Sequence, residues 1–203
     1  MNPLNSVSGS ITTGVILAIV VIIVAVAVGA SPGTFHEPGL VRWLHILSGI
    51  TWIGLLYYFN LVQTPALAAA AADKGGPGGA GISKYVAPRA LWWFRWGAVA
   101  TWLTGAWYLL RGHTFLDALT LGHGFHEQYG MTIGIGAWLG TIMLFNVWVF
   151  IWPNQKKILG IVPASDEEKA RSRKVAGTAS RTNFVLSIPM LLCMASAFHG
   201  LPF

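Results

Sequence analysis

Five long runs of apolar residues limit what this chain can fold into. A helix needs roughly 20 predominantly apolar residues to cross a bilayer, and lipid offers the backbone no other hydrogen-bond partner. The runs extend over approximately residues 11–30, 40–67, 90–110, 131–152 and 183–198. Only 10% of the 203 residues are charged, against about 25% in soluble domains. The sequence therefore predicts an all-α integral membrane protein, a single domain with five transmembrane helices.

The first run differs from the others because it is almost purely aliphatic and carries no polar side chain after Thr13. Its end, AVAVGASPG, is similar to a signal-peptide cleavage region. The preceding MNPLNSVSGS has no positive side chain, however, and the run is longer than a signal peptide requires. We therefore predict a four-helix bundle made of the second to fifth helices, with a peripheral first helix.

Lys and Arg are distributed unequally between the loops. With five spans, the N-terminus and the loops around residues 70–89 and 153–181 share one side, which holds ten of the 13 cationic residues. The other side holds Arg42 and Arg111, while Arg95 lies inside a span. The positive-inside rule then predicts a cytoplasmic N-terminus and an external C-terminus. The net charge of +6 is thus a topology signal and does not indicate a nucleic-acid-binding surface.

All histidines fall on the opposite, outer side of this topology. They are His36, His45, His113, His123, His126 and His199. Imidazole is a common ligand of metals and of haem iron, so this one-sided distribution predicts a haem or metal site near the outer face. His45 is the most informative of the six, because a ring inside a span needs a hydrogen-bond or metal partner. A bond to a neighbouring backbone carbonyl is the alternative.

One face of the second helix is expected to point into the bundle. The face runs from His45 to Gln63 in steps of three and four residues, and it also carries Gly49, Trp52 and Asn60. Gly49 would let another helix or a flat cofactor approach closely. We therefore place Trp52 beside any cofactor that His45 holds.

Two further groups of residues could bind a metal. His123, His126 and Glu127 occur together in GHGFHE, and in a helix the two rings would share a face and could chelate copper or zinc. In an irregular loop the spacing would carry no such meaning. Cys193 lies between Met190 and Met194, and soft ligands of this kind suit copper(I), although a cysteine in an apolar helix is also explained by packing.

Arg95 places a charge about a turn and a half inside the third span. Such a charge costs roughly 2–3 kcal/mol unless it reaches the interface or finds a partner. Polar residues at similar depth on other spans are Asn60, Gln63, Asn146 and Asn183. We expect a polar cluster around Arg95 that is either structural or holds an anion or a cofactor carboxylate. The neighbouring Trp92, Trp93 and Trp96 offer cation–π faces.

The chain resembles the membrane domain of the bacterial membrane-bound urate oxidase (urate hydroxylase) family. The matching stretches are RWLHILSGITWIGLLYYFNLVQ (42–63), PRALWWFRWGA (88–98), GTIMLFNVWVFIWPNQKKILG (140–160) and ASRTNFVLSIPMLLCMASAFHG (179–200). The resemblance implies an oxidoreductase in the bacterial cytoplasmic (inner) membrane with its C-terminus in the periplasm. Family members often carry a C-terminal cytochrome c domain. This sequence ends at Phe203 and contains no CxxCH, so we expect a short form without that domain.

The resemblance also implies site residues and a function. It places His45 and His199 at family positions that are candidate ligands of haem or a metal. A urate-oxidase-like redox subunit is predicted, which binds haem b or a metal near the periplasmic face and passes electrons to a cytochrome c. The aromatic residues expected to line its site are Trp43, Trp52, Tyr57 and Tyr58.

Two other functions compete with the redox subunit. The first is a cofactor-free accessory subunit of a larger respiratory, photosynthetic or monooxygenase membrane complex. The aliphatic first helix favours it, since such a helix can face lipid or a partner. The second, a transporter or channel, is disfavoured because the spans lack acidic residues and show no inverted repeat.

Overall fold

The computed structural model describes residues 2–123 and 127–202, with the backbone alone at residues 127 and 128. This described part consists of helices and contains no strand, which confirms the all-α class. The α-helices are α1 Val7–Ala27, α2 Glu37–Tyr58, α3 Thr64–Ala72, α4 Ala87–Arg111, α5 Phe115–Leu119, α6 Glu127–Phe145, α7 Trp152–Ile158 and α8 Asp166–Ser196. A 3₁₀ turn covers Pro3–Asn5, and three π-helical segments cover Phe59–Gln63, Ile82–Val86 and Asn146–Ile151.

Three helices of the described residues are long and apolar enough to cross a membrane. They are Val7–Ala27, Glu37–Ala72 and Tyr129–Ile158. The mean hydropathy of α4 is lowered by Arg95 and by several tryptophans, and α8 begins with a strongly polar half. Length and composition therefore support three membrane-spanning helices, and the count of five stays a prediction.

The chain divides into two compact units, Met1–Glu37 and Pro38–Phe203. The first unit consists mainly of α1, which begins at Ser6, where the side-chain oxygen accepts a hydrogen bond from the Gly9 amide at 3.0 Å. None of the residues of α1 is buried.

Each π segment ends just before a proline in the first turn of the next α-helix. These prolines are Pro65, Pro88 and Pro153. Proline has no N–H and its ring clashes with the carbonyl four residues earlier. A wider π turn relieves this clash, and its i→i+5 bonds join the Thr64, Ala87 and Trp152 amides to the carbonyls of Phe59, Ile82 and Val147. The helices therefore continue through their prolines instead of ending at them.

Four hydrogen bonds connect the long helices of the second unit in a closed cycle, and the two helices of each pair run antiparallel. The contacts are His45 with Thr101 between α2 and α4, Trp102 with Thr141 between α4 and α6, Met143 with Asn183 between α6 and α8, and Tyr57 with Ser187 between α2 and α8. We call α2, α4, α6 and α8 with their π segments the four-helix unit. Its buried core includes Trp52, Leu56, Phe94, Met143 and Val147.

The helix directions give the four-helix unit two chemically different ends. One end holds the starts of α2 and α6 and the ends of α4 and α8, and we call it the histidine end because His45, His113, His123 and His199 lie there. At the opposite, basic end lie α7 and the starts of α4 and α8, with most of the Lys and Arg residues. His36 belongs to the first unit, and His126 lies outside the described residues.

Helix α8 is longer than the sequence predicts. The stretch 153–181 reads as a polar loop with a short surface helix, whereas the structure has one continuous helix from Asp166 to Ser196. Ser165 caps it through a reciprocal pair of bonds: its hydroxyl accepts from the Glu168 amide at 3.1 Å, and its own amide donates to Glu168 Oε2 at 2.9 Å. A cap of this kind allows the polar first half to join the apolar second half in one helix.

Candidate functional site at the histidine end

His45 is held between α2 and α4 by a backbone hydrogen bond. Its Nδ1 lies 2.8 Å from the carbonyl oxygen of Thr101, and the Thr104 hydroxyl oxygen lies 3.4 Å away. A carbonyl can only accept, so Nδ1 carries the proton and donates it. In the neutral ring Nε2 then keeps its lone pair and can accept a hydrogen bond or bind a metal. Both readings of His45 from the sequence, carbonyl partner and ligand, are therefore compatible with this geometry.

Glycines of α4 create the space that the His45 ring occupies. A Cβ at Gly105 would lie 2.9 Å from His45 Cε1, and a Cβ at Gly97 would lie 3.3 Å from the Trp52 backbone nitrogen. Gly97, Thr101 and Gly105 recur every four residues, the small-residue spacing that brings membrane helices close together. The nearest atom to a Cβ at Gly49 would be the Thr101 methyl group. The neighbour of Gly49 is therefore helix α4, whereas the sequence allowed either a helix or a cofactor there.

Trp52 faces the interior, as predicted, but it does so without a polar partner. Its side chain is 2% exposed, and its Nε1 makes no hydrogen bond to any group of the described residues. A buried N–H without a partner is costly and needs an explanation. Trp52 lies seven residues, or about two turns, further along α2 than His45.

The other aromatic residues expected around the site are dispersed. Trp43 lies on the surface of the four-helix unit, where it is 40% exposed. The Tyr57 hydroxyl lies 3.2 Å from the Ser187 hydroxyl, and its ring packs edge-on against Phe184 at 4.8 Å. Tyr58 packs against the neighbouring Phe59. The structure therefore brings Trp52 into the core but does not line one shared pocket with all four side chains.

A cavity of ≈290 Å³ opens at the histidine end of the four-helix unit. Its lining residues come from α2, α4, α6, the α4–α5 turn and the turn after α8. They are Pro38, Tyr108, Gly112, Thr114, Tyr129 and Phe198. Tyr129 packs on Phe198 at 4.9 Å and interacts with the Thr114 side chain, and Tyr108 and Asp117 act on it electrostatically. Asp117 is itself buried. The cavity therefore combines aromatic walls with hydroxyl groups, and the Asp117 carboxyl group acts on it only through Tyr129.

Glycines of α6 allow the helix that carries Asp117 to pack closely against α6. A Cβ at Gly130 would lie 2.7 Å from Gly122 Cα, and one at Gly134 would collide with the Ala118 carbonyl. Helix α5 therefore lies directly against α6. Sequence reasoning missed this arrangement, since Asp117 and the two tyrosines belong to no recognisable motif, and the GxxxG spacing of Gly130 and Gly134 was the one available signal.

The remaining candidate ligands do not come together around His45. His199 is exposed one turn beyond α8, and His123 is also exposed. His113 has a φ of 57° in the turn after α4, a conformation that histidine adopts more readily than most residues. Within the described residues no three His, Cys, Asp or Glu side chains are grouped to hold a metal. The proposed pair of His123 with His126 falls partly outside the described residues, as does the side chain of Glu127.

Arg95 finds an aromatic partner different from those expected. Its guanidinium carbon lies 3.7 Å from the centre of the Trp152 ring, across the α4–α7 contact. Trp96 instead packs edge-on against Trp148 at 5.5 Å. Stacking on an indole stabilises a guanidinium by about 0.5–2 kcal/mol, which offsets part of the cost of placing Arg95 within the helix.

Of the four amide side chains expected around Arg95, three form interhelical hydrogen bonds, and none of these bonds involves Arg95. The Oε1 of Gln63 is buried without a hydrogen-bond partner among the described residues. Asn146 donates to Asn183 Oδ1 at 2.8 Å, and Asn183 donates to the Met143 carbonyl at 2.9 Å. Asn60 donates to the Ser180 hydroxyl at 3.0 Å. Among the described residues these bonds join α8 to the π segment after α2, and to α6 and the π segment after it, which is the structural role that the sequence left open.

Cys193 and its methionine neighbours lie in apolar packing. Cys193 is buried, and its Cβ and the Met194 Cε both lie 3.1 Å from where a Cβ of Gly136 would be. Met190 belongs to the hydrophobic core. The close approach of α6 at Gly136 accounts for these side chains without a metal.

Residues 112–203 match the family model described as "Urate oxidase N-terminal". This confirms the family resemblance for that part of the chain, which includes the stretches 140–160 and 179–200. The urate-oxidase-like segment contains α5 to α8, and thus Tyr129, Phe198 and His199 of the histidine end. No curated protein and no solved structure matches the chain.

Proposed function

We propose that the chain is a urate-oxidase-like membrane redox subunit in which His45 binds haem b, or copper or zinc, near the histidine end. The observation that carries this proposal is the bond from Nδ1 to the Thr101 carbonyl. Ligating histidines almost always donate their other ring N–H to a carbonyl or carboxylate, because the bond fixes the tautomer and the ring orientation. Nε2 of His45 is the nitrogen left for coordination.

The residues around His45 fit such a group in three respects. The Thr101 carbonyl holds the ring in the tautomer that coordinates through Nε2, and Gly105 leaves room for the ring between the helices. Trp52 supplies a buried N–H without a partner on the same face of α2. His199, at the same end, is the second candidate ligand. When bound, haem b would supply one-electron redox chemistry, and a periplasmic cytochrome c could accept its electrons.

The cavity beside Tyr108 and Tyr129 is the proposed entry for a small oxidisable molecule such as urate. Its volume of ≈290 Å³ is close to the lower limit of about 300 Å³ for small-molecule sites. Aromatic walls suit a planar ring, and the hydroxyl groups of Thr114 and Tyr129 can orient its polar edge.

The test is a reduced-minus-oxidised absorption spectrum and a metal analysis of the purified protein, with three variants. His45→Ala removes the ligand, and His45→Gln keeps an N–H donor for the Thr101 carbonyl but does not replace an imidazole ligand. His113→Ala is the matched control, since His113 is exposed. We expect the haem or metal signal in the wild type and in His113→Ala, and its loss in both His45 variants. A wild-type protein with no Soret band, copper or zinc would overturn the proposal.

A second function, a cofactor-free accessory subunit of a respiratory, photosynthetic or monooxygenase complex, is supported by α1. None of its residues is buried within the chain, although it is long and apolar enough to cross a membrane. Such a helix is suited to contact a partner in the bilayer. Co-purification with a complex whose activity survives His45→Ala would favour this function over the redox subunit.

For either function we propose five transmembrane helices in the bacterial cytoplasmic membrane. The basic end would face the cytoplasm and the histidine end the periplasm, so that the N-terminus is cytoplasmic and the C-terminus periplasmic. The unequal distribution of Lys and Arg between the two ends supports this orientation.

A further inference from the structure

A groove of ≈410 Å³ lies between α8 and the π segment Asn146–Ile151, towards the basic end of the four-helix unit. Its lining residues are Asn146, Phe150, Lys174, Val175, Thr178, Ala179 and Thr182. The proposed redox function uses none of them. The groove is therefore a feature that needs its own explanation.

Three polar side chains of α8 form a column along this groove. Lys174, Thr178 and Thr182 are spaced four residues apart and are all exposed. Thr101 and Thr104 satisfy their hydroxyl groups by donating to the carbonyl four residues earlier. Within the described residues, neither the Thr178 nor the Thr182 side-chain hydroxyl makes a hydrogen bond, and Lys174 has no ion pair. The column is thus available to an external polar ligand.

In the proposed five-span topology, on which this placement depends, α8 crosses the membrane and the column lies at the boundary of the bilayer. Lys174 precedes the helix end at Ser196 by 22 residues, or about 33 Å at 1.5 Å per residue. Because the hydrocarbon core of a bilayer is about 30 Å thick, Lys174 lies at the level of the headgroups when Ser196 lies at the opposite surface. Thr178 and Thr182 lie below it, on the side of the acyl chains.

The charges of the basic end favour an anion in the groove. Two nearby acidic residues already have partners, since Glu168 lies 3.8 Å from Lys157 and Asp166 lies 3.7 Å from Lys169. Glu167, seven residues before Lys174, forms no ion pair with it among the described residues. Lys174 is left as a cation without a protein counter-ion among the described residues. Basic clusters at the cytoplasmic side of membrane helices attract anionic lipids.

We propose that this groove binds an anionic phospholipid of the surrounding bilayer. Its phosphate contacts the ammonium group of Lys174 and the hydroxyl group of Thr178. One acyl chain lies along Phe150, Val175 and Ala179, which form the apolar floor. The lipid covers the polar column that would otherwise face hydrocarbon.

The test measures the affinity of the full-length protein for fluorescent phosphatidylglycerol in mixed micelles, with fluorescent phosphatidylcholine as the uncharged comparison. Lys174→Gln is the test variant. Arg173→Gln is the matched control, because it removes the same charge from an exposed neighbouring position that does not line the groove. We expect Lys174→Gln to weaken phosphatidylglycerol binding about fivefold, the effect of one lysine near an anionic surface. Arg173→Gln should leave it nearly unchanged.

Four results would overturn the proposal. Equal losses in the two variants would indicate diffuse surface attraction, and equal affinity for the two lipids would exclude charge recognition. Displacement of the lipid by inorganic phosphate alone would indicate a site for the free ion. If Thr178→Val with Thr182→Val changed the oligomeric state while lipid affinity stayed the same, the groove would be a docking face for a second copy.

Discussion

The bond between Asn146 and Asn183 offers the sharpest test of how the four-helix unit is held together. Asn183 is completely buried and makes two interhelical bonds, one to the Asn146 side chain and one to the Met143 carbonyl. We predict that Asn183→Leu destabilises the protein by about 2–4 kcal/mol. Interhelical bonds in membranes contribute about 0.6 kcal/mol each, and the buried Asn146 amide left without its acceptor adds about 1–3 kcal/mol.

The measurement is unfolding by SDS in mixed micelles, followed by tryptophan fluorescence, with a double-mutant cycle. Asn146→Leu and the double variant complete the cycle, and Val185→Leu, at a residue that is 63% exposed, is the control. The double variant leaves neither amide buried without a partner. Its loss of stability should therefore be smaller than the sum of the two single losses by about 1–3 kcal/mol. Additive single losses, or an Asn183→Leu variant as stable as the control, would refute the reasoning.

Two further predictions concern the histidine end and the cap of α8. Gly105→Ala should destabilise the protein by about 1–3 kcal/mol in the same SDS assay, because the added Cβ would lie 2.9 Å from His45 Cε1. The amide of Ser165, and secondarily Lys157, hold the pKa of Glu168 below its ordinary value. At pH values above that ordinary pKa, the Glu168 carboxylate is therefore charged and stabilises the first turn of α8. Hydrogen-exchange protection there should fall as the pH drops through the lowered pKa, and Glu168→Gln should flatten this dependence.

Matched variants decide between these predictions and simpler explanations. Gly177→Ala adds a Cβ that meets no atom within 4 Å, so it should not destabilise the protein. If Gly105→Ala were equally harmless, the fit of the His45 ring against α4 would be looser than the structure indicates. A pH dependence that persisted in Glu168→Gln would assign the effect to another carboxylate, such as Asp166.

The sequence predicted the helical class and the inward face of α2 because both depend on local patterns. Apolar runs of sufficient length specify helices, and the three- and four-residue steps placed Trp52 and Leu56 in the core. The bounds of α8 were wrong because its polar half, taken alone, resembles a loop. The cap at Ser165 and the packing of Ser172 and Ala176 make that half continuous with the apolar helix.

The site was harder to predict because it depends on contacts distant in the sequence. The histidine pattern singled out His45 in the first half of α2, but the Thr101 carbonyl that binds it lies 56 residues later. The aromatic partner of Arg95 is likewise distant: adjacent tryptophans were the obvious candidates, whereas Trp152 of another helix provides the face. Backbone acceptors and ring stacking leave no local signature, so composition could identify the participants but not their partners.

The π segments have a consequence for how mutations act along these helices. In an α-helix each residue turns by about 100°, so side chains four apart drift by about 40° per step. Met143, Val147 and Ile151 nevertheless all remain buried. In the wider π turn before Pro153 each residue rotates by less than about 100°, so these three side chains stay on one face of the helix. Losing the proline would allow ordinary α-helical winding in the segment before it, and so rotate every side chain that follows Ile151. A single conservative-looking change at Pro153 would therefore reorient Trp152 and the lysines that follow it.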